Sequence, residues 1–222
     1  PLVAAFAVTG LIEGREGVRR FWRRFWDVRL AGVWLLVRFL LPILLIALPR
    51  LIVVPLGYPL QLAWASQPVV LVGWFLNNLT RSGGISEEFG WRGYALPRLQ
   101  AKWNALVSSI VLGAVWAVWH LPLWFVAGSS QQGSSFWLFL ANLVLLSVLY
   151  TWLFNNARGS TLVAVVFHAM GNTVSQMFPG STSNLFYWVM LGLTVVLVVA
   201  VNGPRALVRK GRESLQVSGA AT

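Results

Sequence analysis

The chain contains no cysteine, which removes disulfide bridges, thiolate catalysis and cysteine-ligated zinc and leaves the redox compartment undecided. Histidine is nearly as scarce, with only His120 and His168, and the acidic residues number six. Charged residues make up 10% of the 222, against roughly 25% in an average soluble domain. Hydrophobic residues reach 57% and tryptophan occurs 13 times, a balance that defines a polytopic membrane protein. The formal net charge of +11 would suit nucleic acid if it lay along one solvated face. It lies instead in short blocks between apolar runs, so the basic residues read as orientation signals and no nucleic-acid partner is expected. Because the chain opens on Pro1 without a methionine, the native start is expected to be missing, and no signal peptide can be judged.

About 20 apolar residues cross roughly 30 Å of hydrocarbon at 1.5 Å per residue. On that rule the sequence predicts six crossings and a partial one. Pro1 to Ile12 reads as the tail of a crossing, and Glu13 to Leu30 as an amphipathic basic stretch. Ala31 to about Pro55 is apolar but for Arg38 and Arg50, and Leu62 to Lys102 is a longer, interrupted segment. Ala105 to Ala127, Phe136 to Phe154, Thr161 to Phe178 and Leu185 to Val201 follow. The expected fold is therefore all-α: a transmembrane bundle of about six to seven crossings, with a broken helix at its active site. It forms one membrane-embedded domain over 1–222, with a basic cytoplasmic linker at 13–30, a catalytic half at 71–178 and a basic tail at 203–222.

Arg15, Arg19, Arg20, Arg23, Arg24 and Arg29 share one side with Arg98, Lys102, Arg158, Arg205, Arg209, Lys210 and Arg212, whereas the loops 57–67, 128–135 and 179–184 carry no charge. The positive-inside rule makes the basic side cytoplasmic, and with it the tail of a multi-pass plasma-membrane protein. Arg50 fits this pattern poorly. The stretch Phe21-Trp22-Arg23-Arg24-Phe25-Trp26 has the composition of an interfacial, lipid-binding helix, and reads more simply as a topogenic linker. The many tryptophans read as lipid-facing or interfacial belts.

The interrupted segment carries the chemistry. Pro68 to Thr80 is short for a crossing, Gly83-Gly84 breaks it, and Ser86-Glu87-Glu88 opens a new helix with Ser86 as the expected N-cap and two carboxylates at the positive end of the dipole. Broken backbone at membrane depth is tolerated only where it is buried in protein or lines a wet cavity. Ionisable groups in hydrocarbon are expensive, so Glu87, Glu88, Arg92 and the two histidines form a functional-site hypothesis by default. If the chain turns at Trp103 and Asn104, the midpoint of positions 87 and 120, Glu87 and His120 lie level on an antiparallel hairpin, on the order of 25 Å above the turn. His168 follows the loop 155–160 so closely that it shares this depth only if the loop is recessed into a funnel.

Spacings inside the helices sharpen the hypothesis. Glu88 and Arg92 are i and i+4 and can pair, while Glu87 points about 100° away and is left available. His168 and Asn172 are also i and i+4, so an imidazole and an amide project together as hydrogen-bond donors. His120 has Trp116 one turn below it and Pro122 just after it, where proline kinks a helix and frees a carbonyl. Taken singly, each is weak: a Glu-Glu pair with an arginine one turn on is usually a solvated helix start, and a histidine beside tryptophan is more often packed than reactive.

Together they are specific. Glu87-Glu88-Phe89-Gly90-Trp91-Arg92 as EExxxR, Trp116 to His120 in place of FxxxH, and His168 to Asn172 as HxxxN resemble, in order, the CAAX-protease and bacteriocin-processing (CPBP) intramembrane protease family. The resemblance runs over about Leu71 to Phe178, including Gly93, Leu96-Pro97 and Trp119-His120-Leu121-Pro122, and Trp116 for Phe keeps an aromatic. It implies that Glu87 and His120 polarise a water for attack on a peptide carbonyl. It further implies that His168 and Asn172 stabilise the oxyanion and that Glu88 and Arg92 support the site. Members of the family are described as metalloproteases, and Glu87, His120 and His168 would hold zinc with an open position for water. No HExxH helix is present and a metal-free glutamate mechanism is also proposed for the fold, so zinc stays open. The implied partners are membrane lipids and a peptide or protein substrate, lipidated or membrane-embedded. Eukaryotic relatives remove a C-terminal tripeptide after a prenylated cysteine, while bacterial ones are linked to bacteriocin maturation or self-immunity. Two other classes fit the same buried polar residues: a transporter or proton relay, for which no inverted repeat is visible, and a non-catalytic bacteriocin-immunity scaffold.

Overall fold

The structure is a computed structural model that describes residues 1–26, 33–60, 62–180 and 184–208. Arg29 of the expected linker, and Arg209, Lys210 and Arg212 of the expected tail, lie outside the described residues. What is described is helical throughout, in chain order α1 (Leu2–Trp26), α2 (Trp34–Pro42), α3 (Leu48–Val53), α4 (Val70–Thr80), α5 (Gly84–Glu88), α6 (Leu96–Gln100), α7 (Ala105–Trp119), α8 (Phe136–Asn156), α9 (Thr161–Met177) and α10 (Leu185–Asn202). Widened π turns join α2 to α3 at Ile43–Ala47 and α5 to α6 at Phe89–Ala95. Such turns are uncommon and concentrate at functional sites.

Among the described residues, four stretches are long and apolar enough to cross a membrane: Leu36–Leu56, Ala105–Phe125, Phe136–Asn156 and Leu185–Asn202. The α4–α6 segment and the 17-residue α9 pack among them, giving the polytopic bundle expected from hydropathy. α1 differs in detail from the expected crossing tail and basic stretch. It breaks at Gly14, whose φ of 67° no β-carbon tolerates easily, and folds back so that Phe6 meets Phe21 at 5.0 Å between ring centroids.

The turn between α6 and α7 falls where the midpoint argument placed it. Asn104 caps α7 by accepting the Val107 N–H at 2.9 Å, and α7 and α8 then run antiparallel. At the same end of the bundle, the loop before α9 is recessed: Ala157 and Ser160 are fully buried. The segment after α10 lies across it. Asn155 and Asn156 donate from their side chains to the Ala206 and Leu207 carbonyls, both at 2.8 Å, and the α7 N–H groups of Ala105 and Leu106 donate to Arg205 and Pro204. Two of the backbone N–H groups left without an intrahelical partner at the start of α7 are thus paired by this segment. The core lies where α7, α8 and α9 meet, around Trp116, Leu143, Tyr150, Leu153, Ala164 and Phe167.

Candidate active site

Glu87 and Glu88 owe their position to a break that glycine makes. α4 stops at Thr80, Gly83 takes a φ of 107°, and α5 begins at Gly84, two residues before the expected start. Ser86 is therefore not the N-cap. It sits in the first turn, where its hydroxyl accepts the Gly83 N–H at 3.2 Å and donates to the Arg81 carbonyl at 3.1 Å. The positive φ lets the chain reverse sooner than the serine signal implies. A second constraint acts at the same residue, because a β-carbon on Gly83 would run into the imidazole of His168. Gly83→Ala is expected to destabilise by about 1–3 kcal/mol and to displace His168. Thermal unfolding in detergent checks the first effect and residual activity the second.

The two carboxylates have separate partners. Glu88, fully buried, accepts from Arg92 Nη1 at 3.0 and 3.1 Å on its two oxygens and lies 2.7 Å from His168 Nδ1. Arg92 is sandwiched, its guanidinium carbon 4.4 Å from the Trp116 ring centroid and 4.0 Å from that of Tyr150. Glu87 accepts on Oε2 from the indole N–H of Trp116 at 2.6 Å and more distantly from that of Trp91 at 3.4 Å. Its other oxygen, Oε1, stands 3.9 Å from His120 Nε2. His120 Nδ1 lies 2.8 Å from the Trp116 carbonyl. A carbonyl only accepts, so Nδ1 carries a hydrogen and donates it to Trp116, while Nε2 is the ring nitrogen that faces Glu87.

Glu87, His120, His168 and Asn172 all line one cavity of about 690 Å³. Its apolar wall comes from Pro42, Leu45 and Ile46 at the first π turn and from Leu143, Leu146 and Phe167. His168 reaches the depth of the glutamates, with Nδ1 2.7 Å from Glu88, and is not the shallow residue its nearness to the loop 155–160 allowed. Asn172 donates one amide hydrogen to the Ser82 carbonyl at 2.8 Å and so ties α9 to the break before α5. Glu87, expected to be unengaged, is held by two indoles. The expected zinc set is arranged differently from a ligand shell: Glu87 faces His120, His168 is bonded to Glu88, and among the described residues no three His, Cys, Asp or Glu side chains gather as metal ligands. These donors do not fit a zinc centre as they stand.

Spacing arguments missed Trp91 and Tyr150. Trp91 lies one turn beyond Glu87 and could have been found by the i, i+4 rule that found Arg92. Tyr150 stands in an apolar run of α8 and carries no local signal.

A helical membrane bundle whose broken crossing carries two buried glutamates, met by one histidine from α7 and another from α9 on a shared cavity, is an intramembrane polar site of defined class. Residues 67–174, which contain all three motifs, match the family described as type II CAAX prenyl endopeptidase Rce1-like. Over 92 residues the chain is 36% identical to the protein named CAAX prenyl protease 2 of Methanococcus maripaludis. That stretch is 39% of this chain and spans 34% of the relative's length.

Proposed function

We propose that this chain is an intramembrane endopeptidase of the CAAX type that cleaves a membrane-associated protein or peptide, with its basic end and C-terminal tail facing the cytoplasm. The observation that carries the reading is the 3.9 Å gap between Glu87 Oε1 and His120 Nε2 on the cavity wall. It is too long for a direct hydrogen bond and suits one bridging water. With His120 carrying its hydrogen on Nδ1 alone, such a water donates both hydrogens, to Glu87 Oε1 and His120 Nε2, and turns its lone pairs to the cavity. Glu87 takes one proton as the water oxygen bonds to the peptide carbonyl carbon. The oxyanion is met by His168, whose ring Glu88 orients, and by the second amide hydrogen of Asn172. Breakage of the C–N bond then releases the amine, which receives the proton held by Glu87.

The apolar wall suits a lipid chain or an apolar segment of the substrate, in keeping with a prenylated or membrane-embedded peptide. No step here passes through a metal. Purified protein in vesicles is therefore expected to cleave members of a panel of prenylated and unprenylated peptides, and to keep doing so after chelation. Loss of cleavage on chelation, restored by zinc and accompanied by bound zinc that His120→Ala or His168→Ala abolishes, would establish a zinc enzyme instead. Failure to cut any member of the panel, with the fold intact, would leave the immunity-scaffold reading.

A further inference from the structure

One side chain meets Glu87, His120, Arg92 and His168 without being an acid, a base or an oxyanion donor. Trp116 is 3% exposed. Its indole N–H gives Glu87 Oε2 a 2.6 Å bond, its carbonyl receives His120 Nδ1, and its ring lies under the Arg92 guanidinium. Its ring centroid is also 5.6 Å from those of His168 and Tyr150 and 6.0 Å from that of His120.

We propose that Trp116 is the positioning residue of this site: its N–H takes up one oxygen of Glu87 and so leaves the other, Oε1, aimed at His120. This rests on the peptidase reading above and goes beyond it. A carboxylate with both oxygens unbonded rotates about its last torsion, and a general base must keep one oxygen within reach of the water it deprotonates. A bond of 2.6 Å to a charged acceptor in a buried site is of the strong, charge-assisted kind. The Trp91 N–H at 3.4 Å is too long to replace it. Phenylalanine, which the FxxxH pattern carries here, would keep the ring over Arg92 and between the histidines but has no hydrogen to donate. In this chain the aromatic position has gained a polar function that the substitution of one ring for another conceals.

The difference between the two rings provides the test. Trp116→Phe is expected to lower kcat for peptide cleavage about 10- to 100-fold, the size of one charge-assisted hydrogen bond, with KM and thermal stability near those of the parent. Trp116→Leu, which also removes the ring from Arg92, is expected to lower stability as well. On a Glu87→Gln background, Trp116→Phe should produce no further loss, because the base it positions is already gone. A purely structural tryptophan would instead give a loss that tracks stability and is the same on both backgrounds. Glu87→Gln inactive with Trp116→Phe at parental kcat would overturn the inference alone. Glu87→Gln fully active would remove the peptidase reading, and the inference with it.

Discussion

Glu87→Gln is expected to abolish peptide cleavage, by a factor on the order of 10³ or more, in a protein that unfolds at the parental temperature. Glutamine occupies nearly the same volume, and its carbonyl oxygen can still accept the Trp116 N–H that now binds Glu87 Oε2 at 2.6 Å. The packing around the site is therefore retained. That same bond decides how the amide lies, with its oxygen on the indole and its NH₂ toward His120 Nε2. A donor then stands where the carboxylate had an acceptor, so the amide competes with the bridging water for the imidazole lone pair as well as failing to take a proton. Two defects from one substitution explain a loss at the upper end of what removal of a general base produces. Single-turnover cleavage in vesicles measures it, with unfolding followed in parallel. A variant that cuts at more than about a tenth of the parental rate would show that Glu87 is not the base.

The parts of the molecule that hydropathy and helix geometry control were legible in the sequence. The crossings at 105–125, 136–156 and 185–202 follow from runs of apolar residues, and the pairing of Glu87 with His120 follows from their equal distance to the turn at Asn104. The buried Glu88–Arg92 pair is the i, i+4 rule acting inside the bundle. What could not be read depends on the path of the backbone between regular elements. The start of α5 at Gly84 rests on the left-handed turn at Gly83, and the close approach of the His168 ring to that glycine involves residues 85 positions apart in the chain. The covering of the α8–α9 loop by the 204–207 segment is likewise a long-range contact that no local pattern announces. Trp116 shows a different limit. The tryptophans read as lipid-facing or interfacial, yet Trp116 is 3% exposed, and the direction of its N–H is a property of the assembled site that an exchange of aromatic for aromatic conceals.

Arg92→Leu is expected to destabilise the protein by about 3–5 kcal/mol, the usual result of leaving one member of a buried ion pair without the other. Both side chains of the Glu88–Arg92 pair are fully inaccessible, and the guanidinium has a ring on each side, so without Arg92 the carboxylate keeps only the His168 Nδ1 contact at 2.7 Å. Lysine does not rescue this position well, because an ammonium has no planar face to lie between Trp116 and Tyr150. Replacing both partners separates stability from chemistry. Glu88→Leu with Arg92→Leu removes two buried charges together, and apolar residues often substitute for such pairs with little net loss, so unfolding should return most of the way to the parental value. Activity should not return with it, because His168 has then lost the 2.7 Å bond from Nδ1 that orients its ring toward the cavity. Recovery of both stability and cleavage in the double variant would mean that Glu88 holds the fold and takes no part in presenting His168 to the substrate.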